Sequence, residues 1–308
     1  LRKKQFMNVE SKRRRAWGCV LVAGILWGIG AVVAESVMRA GVQPHSLSLA
    51  RFALGLPLLW WWHWRTQRAS ASPLCWSELP WRSRALVLVT GCVMAGNVSC
   101  WFMGIARIGA TLPTVISICF APVFVAVFSV LRGYERMSLR LLLGLALGIA
   151  GVVLFVVTQA LNLPQGYVQG LAWSFASALL YAVVVVGNAR MPKALPAVTA
   201  SAWSMSAATL VMLGVAGVDG ITLPSTGWAW VQVGYTGVVT TSVAYLAFAW
   251  GARRLPATSA VVGTLVEPLA AALLAAWLGS QNLSGQQYAG ALLLALAMYV
   301  LAKGQHRA

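Results

Sequence analysis

A single carboxylate lies well inside a long apolar run near the end of the chain. Glu267 falls within the apolar segment 257–278, and Pro268 follows it directly. A carboxylate is costly in an apolar environment unless it faces a cavity or a partner. Glu267 could therefore take up a proton or bind an ammonium group. In the alternative interpretation it only caps or packs around Pro268, whose missing N–H frees a backbone carbonyl in the preceding turn.

A second charged residue, Arg51, lies within the apolar run 45–64. Its planar guanidinium is suited to binding a carboxylate. Alternatively, its long stem carries the charge to the nearer end of the run, or it pairs with Glu35 at the end of the preceding run. Both interpretations remain open, and Glu267, Glu35 and Arg51 are the candidates for charge coupling or gating.

Aromatic and small polar side chains accompany these charges inside the apolar runs. Indole N–H and phenol O–H groups need partners away from water, and a water-accessible cavity with aromatic walls would provide them. Asn97 is the best single polar candidate, because its amide both donates and accepts. Ordinary helix packing is the alternative for the whole set. The residues predicted to line such a cavity are Trp27, Asn97, Trp101, Ser117, Trp173, Tyr181 and Tyr245.

The usual signatures of catalysis are absent from the sequence. Five cysteines occur without Cys-x-x-Cys spacing, and three histidines lie far apart, so neither a disulfide framework nor a metal site is indicated. No Gly-rich phosphate loop, Gly-x-Ser-x-Gly motif or His-Glu-x-x-His motif is present. We therefore predict no catalytic residue, no metal and no cofactor, and a nucleotide-driven pump is disfavoured.

The composition is that of a membrane protein. Hydrophobic residues make up 59% of the 308 residues and charged residues only 9%, where a soluble domain carries about 25% charged residues. The net charge of +17 is spread between apolar runs and forms no single patch, which favours a lipid bilayer and no nucleic acid as the partner. A spanning helix needs about 20 mostly apolar residues. Ten segments qualify and predict an all-α protein with ten transmembrane helices: 16–35, 45–64, 85–104, 110–131, 139–159, 168–188, 197–217, 227–250, 257–278 and 286–303.

The chain also contains an internal duplication. The stretch from Ala106 to Pro122 reappears from Ala252 to Pro268, at an offset of 146 residues. A fixed offset of this kind predicts two copies of one structural unit. Pro122 and Pro268 would then be matched bending points in the two copies, unless each is a static kink inherited from a common ancestor.

The basic residues predict how the two copies are oriented. With the N-terminus inside, nearly all of the 23 lysines and arginines fall on the inner side, and only Arg39 and Arg107 fall outside. Since Lys and Arg concentrate in the cytoplasm, both termini should be cytoplasmic. Five spans per copy make the repeats inverted, as in many secondary transporters. We therefore predict one transmembrane domain, with a basic cytoplasmic segment at 1–15, a first five-helix repeat at 16–160 and a second at 168–303.

Several motifs can be compared with a known family. They are Leu26-Trp-Gly28, Arg51-Phe52, Gly133-Tyr-Glu-Arg-Met-Ser138, Gly144 and Gly151, and in the second half Glu267-Pro268 and Gly290-Ala-Leu-Leu293. Together they resemble the EamA-type drug/metabolite transporter superfamily over nearly all ten segments. The family's Gly-x-Glu turn is present as Gly133-Tyr-Glu135, but the second-half counterpart reads Gly279-Ser-Gln281, so a glutamate is present at only one of the two turns.

The resemblance implies a carrier of small metabolites, often amino acids moved outward across the bacterial inner membrane, as in aromatic amino-acid exporters. We predict a multi-pass secondary transporter of small amphipathic solutes, with amino acids favoured and aromatic or large neutral ones plausible. It would work by alternating access, as a monomer or homodimer, with a small-molecule substrate. The alternatives are a carrier of another class, such as nucleotide sugars, purines or drugs, and a membrane-embedded enzyme. An enzyme would normally need clustered carboxylates or histidines, whereas the six acidic residues here are scattered.

Overall fold

The computed structural model is built of helices, as the sequence predicts. It describes residues 2–70, 76–109, 111–133, 138–157, 166–277 and 284–304, and no strand occurs in these ranges. The predicted motifs at 134–137 and 279–281 lie outside the described residues. The helices are α1 (Arg2–Arg39), α2 (Pro44–Arg68), α3 (Trp81–Ile108), α4 (Thr111–Leu131), α5 (Leu139–Val157), α6 (Tyr167–Arg190), α7 (Ala197–Asp219), α8 (Gly227–Gly234), a π-helical segment (Tyr235–Ala244), α9 (Tyr245–Ala252), α10 (Ala257–Gly263), α11 (Val266–Trp277) and α12 (Gly285–Gly304).

The helix ends follow from proline and glycine. Pro44 begins α2, where its fixed φ suits a first helical turn and its missing N–H is not needed. Gly109 and Gly220 follow the last residues of α3 and α7 with φ values of 78° and 86°. Only glycine adopts such values without strain, so these two residues stop the helices and turn the chain.

Six helices within the described residues are long and apolar enough to cross a membrane. They are Ser11–Arg39, Trp81–Ile108, Leu112–Leu131, Tyr167–Arg190, Ala197–Asp219 and Gly227–Ala252. Shorter apolar helices occur at Leu142–Gly151, Ala257–Ala271 and Tyr288–Ala297. The helix α2 has the length of a span but carries four tryptophans, two histidines and three arginines. The chain is thus a multi-pass membrane protein.

The helices present large apolar side chains outward and small residues to one another. Leu210, Val218 and Val168 are exposed, which suits contact with lipid. Inside the bundle, a Cβ on Gly28 would lie 2.3 Å from the carbonyl oxygen of Glu267, and one on Gly91 only 2.0 Å from that of Ser204. Small residues at such crossings let helix backbones approach closely, which is how helices associate in a bilayer.

The two halves of the chain pair their helices in the same way. The contact between α3 and α6 corresponds to the contact between α1 and the segment from α8 to α9. The contact between α4 and α6 corresponds to the contact of α1 with α10 and α11. Likewise, α3 packs on α7 as α2 packs on the π-helical segment. In each pair of contacts, every helix of one contact is replaced in the other by its counterpart from the opposite half.

Counterpart helices of the two halves also run in opposite directions. Near the start of α2, the Ser46 hydroxyl accepts a hydrogen bond from the backbone N–H of Thr222, just beyond the end of α7. Near the end of α2, the His63 ring lies 3.0 Å from the hydroxyl of Thr199, at the start of α7. Helices α2 and α7 are therefore antiparallel.

The last helices of the two halves show the same relation. A Cβ on Gly151 of α5 would lie 2.8 Å from the carbonyl oxygen of Gly290 in α12, and one on Gly148 would lie 4.0 Å from the Cβ of Ala297. An earlier residue of α5 therefore lies beside a later residue of α12. Helices α5 and α12 are therefore antiparallel as well.

Two helical segments of the second half are irregular. The π-helical segment Tyr235–Ala244 interrupts the run from Gly227 to Ala252, and the predicted ninth segment is divided into α10 and α11 at Thr264 and Leu265. Both irregularities release backbone groups from the regular α-helical pattern. In membrane helices such irregular backbone is tolerated where it is buried in protein or lines a cavity.

Candidate functional site

A buried cavity lies where α1, α2, α3, α4 and α6 meet the two irregular segments. The space open to the centre of a water-sized sphere is about 60 Å³, and one water needs roughly 10–15 Å³ on that measure. The cavity therefore has room for a few waters or one small polar group, but not for a whole metabolite. The residues predicted from the sequence that line it are Trp27, Arg51, Asn97, Trp101, Ser117, Tyr181 and Glu267.

Arg51 forms the positive wall of the cavity. It is only 5% exposed, and its Nε donates a hydrogen bond to the Thr241 hydroxyl at 3.0 Å while Nη2 donates to the Thr240 hydroxyl at 3.1 Å. Both threonine hydroxyls donate in turn to the carbonyl of Thr236. The guanidinium also lies 5.6 Å from the ring centre of Phe102, so its position is well defined.

Glu267 forms the acidic wall. It is 6% exposed and lies in the first turn of α11. Its backbone is held by a 2.9 Å hydrogen bond to the carbonyl of Thr264 and by the close approach of Gly28. The helix break at Thr264 is therefore what brings the Glu267 carboxylate to the cavity.

Aromatic rings line the space beside these charges. The Trp27 indole donates to the backbone carbonyl of Thr240 at 2.9 Å and meets the Tyr181 ring edge-on, with centroids 6.2 Å apart. The Tyr181 hydroxyl lies 3.4 Å from that of Thr264. On the other side, the Trp101 indole donates to the Thr114 hydroxyl at 3.0 Å. The polar tips are thus satisfied within the protein. The Trp101 ring is stacked on Phe102, with centroids 5.0 Å apart, and the parts of the three rings that border the cavity can contact a solute.

The small polar residues join α3 and α4 to α6. The Asn97 amide donates to the backbone carbonyl and to the hydroxyl of Ser177, at 2.9 and 3.0 Å. The Ser117 hydroxyl donates to the carbonyl of Ser174 at 3.3 Å. The amide oxygen of Asn97 takes no part in these bonds, so the side chain can also accept a hydrogen bond from a bound solute.

Three of the predicted residues do not line this cavity. Trp173 is 37% exposed on the outside of α6. Tyr245 is buried, and its hydroxyl accepts a hydrogen bond from Asn188 at 3.1 Å, away from the lining. Glu35 accepts a hydrogen bond from Arg39 at 2.6 Å, one helical turn further along α1.

The predicted pairing of Arg51 with Glu35 is therefore wrong. Glu35 uses the neighbouring charge on its own helix, an arrangement that side chains four residues apart readily adopt. Arg51 is buried on two threonine hydroxyls and does not extend to the end of its helix. The sequence contained no sign of this, because the two threonines lie nearly two hundred residues away and are unremarkable in an apolar run.

The two matched prolines lie in different local structures. Pro122 is inside α4, which is helical throughout Thr111–Leu131. Pro268 lies two residues into α11, directly after the break at Thr264 and Leu265. A proline is well accommodated in the first turn of a helix, so Pro268 helps define where α11 begins.

Six further residues that sequence analysis did not select line the cavity: Gly30, Met94, Val98, Ile118, Ser177 and Thr240. Most carry no polar group, so nothing distinguishes them from packing residues. Thr240 could have been found, since Thr236, Thr240 and Thr241 recur at helical spacing in one apolar segment. No group of His, Cys, Asp and Glu residues that could hold a metal ion occurs in the described part of the chain.

Comparisons with known proteins agree with a membrane transporter. A protein-family model described as the EamA-like transporter family matches the chain twice, at residues 15–157 and 168–303. An uncharacterized transporter of Archaeoglobus fulgidus is 32% identical over 176 residues, which are 57% of this chain and 61% of that protein. The uncharacterized transporter YwfM of Bacillus subtilis is 25% identical over 287 residues, or 92% of each chain.

A solved crystal structure has the same fold. It is 20% identical in sequence and superposes with a TM-score of 0.75, over 95% of this chain and 99% of that chain. At this level of identity the similarity concerns the fold alone.

Proposed function

Because the chain belongs to the EamA-like transporter family, we propose that it is a secondary transporter that moves small amphipathic metabolites, and amino acids in particular, out of the cell by alternating access. The observation that carries the proposal is the buried cavity between the halves. Trp27, Arg51 and Trp101 reach it from the first half, and Tyr181 and Glu267 from the second. A site of this kind, apolar and aromatic with a few placed polar groups, is what small solutes generally bind.

The proposed architecture consists of ten spans arranged as two inverted five-helix repeats. The exchanged helix contacts, the antiparallel pairs α2–α7 and α5–α12 and the two successive family matches support it. In inverted-repeat carriers the substrate site lies near the midplane where the repeats meet. The cavity described above is lined by residues of both halves, which supports this architecture.

The small size of the cavity supports alternating access. With about 60 Å³, it must expand to admit an amino acid, and expansion requires the halves to separate at one end. At the end that the charges place outside, Gln43 and Ser46 of the first half bond to Thr222 of the second. At the opposite end, Trp60 bonds to Ser206 and His63 to Thr199. Breaking one set while keeping the other would open the cavity to one side.

The proposed location is the bacterial inner membrane, with both termini in the cytoplasm. Arg65, Arg68, Arg82 and Arg190 lie at the same end of the helices as the basic N-terminal segment, and positive residues concentrate on the cytoplasmic side. The sequence offers no nucleotide-binding loop, so transport would follow a solute gradient, with or without a proton on Glu267.

The test is counterflow in liposomes containing the purified protein. Vesicles preloaded with the twenty amino acids are given labelled threonine, leucine or tryptophan outside at two pH values. We expect uptake of at least one label, inhibited by an excess of the same compound, and none in protein-free vesicles. A pH dependence would point to Glu267 as a titrating group, and equal rates at both pH values would favour transport without a proton.

A folded protein that carries no amino acid would contradict the amino-acid assignment. The same vesicles would then be loaded with nucleotide sugars, purines and polyamines. Flux of one of those classes would keep the carrier function and change the substrate. Absence of flux for every class would remove the proposed function.

A further inference from the structure

The described lining residues of the cavity include one basic and one acidic side chain, Arg51 and Glu267. They come from different halves of the chain and different helices, α2 and α11. Burying a charge is costly unless it is paired and hydrogen-bonded. A membrane protein that buries two opposite charges in one cavity therefore needs a partner for each.

The two charges do not pair directly with each other. Among the contacts of the described residues, no ion pair within 4.0 Å joins the Arg51 guanidinium to the Glu267 carboxylate, although both side chains line the same cavity. Arg51 uses Nε and one Nη2 hydrogen for Thr241 and Thr240, and a guanidinium has five N–H donors. N–H groups therefore remain on Arg51 for an anion, and the Glu267 carboxylate remains to receive a cation.

We propose that the site recognises the zwitterionic head of an α-amino acid, with the substrate carboxylate on Arg51 and the substrate ammonium on Glu267. This inference rests on the proposed transport function and specifies how its substrate is selected. The guanidinium fork matches a carboxylate in shape and charge. The side chain of the amino acid would lie against the rings of Trp27, Trp101 and Tyr181.

Zwitterion recognition of this kind makes both charges of the substrate necessary. A solute without the carboxylate would leave Arg51 without its anion, and a solute without the ammonium would leave Glu267 without its cation. A buried polar site rejects an analogue that lacks one matching group far more strongly than an apolar pocket rejects a missing methylene. The aromatic walls, by contrast, would tolerate a range of apolar side chains.

The first test uses the unaltered protein and three related compounds. L-Phenylalanine, 2-phenylethylamine and 3-phenylpropionate share the same ring. The first carries both charges, the second only the ammonium and the third only the carboxylate. Each is added as a competitor of labelled L-phenylalanine counterflow, and the stabilisation of the purified protein against heat is measured with each. We expect L-phenylalanine to compete at a concentration at least tenfold lower than either analogue, and to raise the melting temperature most.

Equal competition by the amine or the acid would overturn the zwitterion inference and leave the carrier function intact. If labelled phenylalanine does not move, the same comparison is made with whichever amino acid does, using its decarboxylated and deaminated forms. If no amino acid moves, the proposed amino-acid transport fails first, which distinguishes the two failures.

The second test assigns each charge to its residue. In Arg51→Gln the preference for the amino acid over the amine should fall at least tenfold, and its preference over the acid should change less. In Glu267→Gln the preference for the amino acid over the acid should fall at least tenfold, and its preference over the amine should change less. Because each result is a ratio of two compounds on one protein preparation, partial loss of folded protein does not affect it.

Matched controls remove charges away from the cavity. Glu78 and Arg132 are exposed, and Glu78→Gln and Arg132→Gln should keep both ratios of the unaltered protein. Unchanged ratios in Arg51→Gln and Glu267→Gln would contradict the assignment. A variant that loses the preference for the amino acid over both analogues together would also contradict the assignment.

Discussion

Glu267 shows how a single residue depends on the shape of its helix. Its side chain lines the cavity in the first turn of α11, directly after the helix breaks at Thr264 and Leu265. Pro268 favours a helix start at this place. Glu267 and Pro268 therefore belong to one helix start, and the capping and coupling interpretations of Glu267 both stay predictions.

The first residue-scale prediction concerns Glu267→Gln. The amide keeps the size of the side chain and removes its charge, so a substrate ammonium loses a charged partner worth about 1.5–3 kcal/mol. We expect the transport KM to rise about tenfold or more at neutral pH, measured in proteoliposomes with matched protein content. Insertion should be normal, as shown by an unchanged elution profile in detergent. Glu78→Gln serves as the control, and an unchanged KM in Glu267→Gln would show that its carboxylate does not contact the substrate.

The second residue-scale prediction compares two tryptophans at the repeat offset. Trp27 lines the cavity and donates to Thr240, whereas Trp173, 146 residues later, is partly exposed on the outside of its helix. Phenylalanine removes the indole N–H and part of the ring. Trp27→Phe should raise the KM several-fold, and Trp173→Phe should leave transport kinetics unchanged. Equal effects of both substitutions would mean that Trp27 acts through general packing.

The comparison of Trp27 with Trp173 also explains the limits of prediction from sequence at this scale. Both tryptophans lie in apolar segments, and nothing local says which helix face meets the cavity. Asn97 was distinguished by its chemistry, and it does lie on the cavity. Arg51 was recognised, but its partners, Thr240 and Thr241, are fixed only by tertiary packing.

At the scale of the element, the helices were easier to predict than their interruptions. Runs of apolar residues with charged or Gly and Pro boundaries specify where helices lie, and the described helices occupy those runs. The π-helical segment Tyr235–Ala244 has no comparable signal. Its Thr240 and Thr241 hydroxyls donate to the carbonyl of Thr236 and accept from Arg51, so this segment supplies the partners of the guanidinium.

The element-scale prediction concerns the crossing of α3 and α7. A Cβ on Gly91 would lie 2.0 Å from the carbonyl oxygen of Ser204, so Gly91→Ala forces the two backbones apart. Overpacking of this kind costs about 1–3 kcal/mol, and we expect the melting temperature in detergent to fall by several degrees. Gly214→Ala, in α7 but with nothing within 4 Å of the added Cβ, is the control and should not lower it. A melting temperature of Gly91→Ala equal to that of the unaltered protein would show that α3 and α7 do not cross this closely.

At the scale of the whole molecule, the duplication carries most of the information. The repeated stretches ending at Pro122 and Pro268 predict two copies of one unit, and the charge asymmetry predicts their opposite orientation. Neither says which helices of one copy contact which helices of the other. That pairing depends on the small residues at the crossings, such as Gly28 and Gly91, whose role is visible only in three dimensions.

The first prediction at this scale tests the inverted arrangement. Ser77 lies in the connection between α2 and α3, and Ser225 lies in the corresponding connection between α7 and α8; both are exposed. In a background with the native cysteines replaced, we expect Ser225→Cys to react with a membrane-impermeant maleimide on intact spheroplasts. Ser77→Cys should react only after the membrane is opened. Labelling of both from the same side would exclude inverted repeats.

The last prediction tests whether the halves separate at the outer end during transport. His45 in the first turn of α2 contacts the carboxylate of Asp219 at the end of α7. At the same end, the Thr222 hydroxyl accepts a hydrogen bond from the backbone N–H of Gln43. A reducible bifunctional thiol reagent that joins His45→Cys to Asp219→Cys would keep this end closed. Because alternating access requires each end to open in turn, we expect cross-linking to stop counterflow and reduction of the cross-link to restore it. Each single-cysteine variant treated with the reagent controls for modification alone. Continued counterflow in fully cross-linked protein would mean that solute passes without separation of α2 from α7, and the halves would then have to move about another contact.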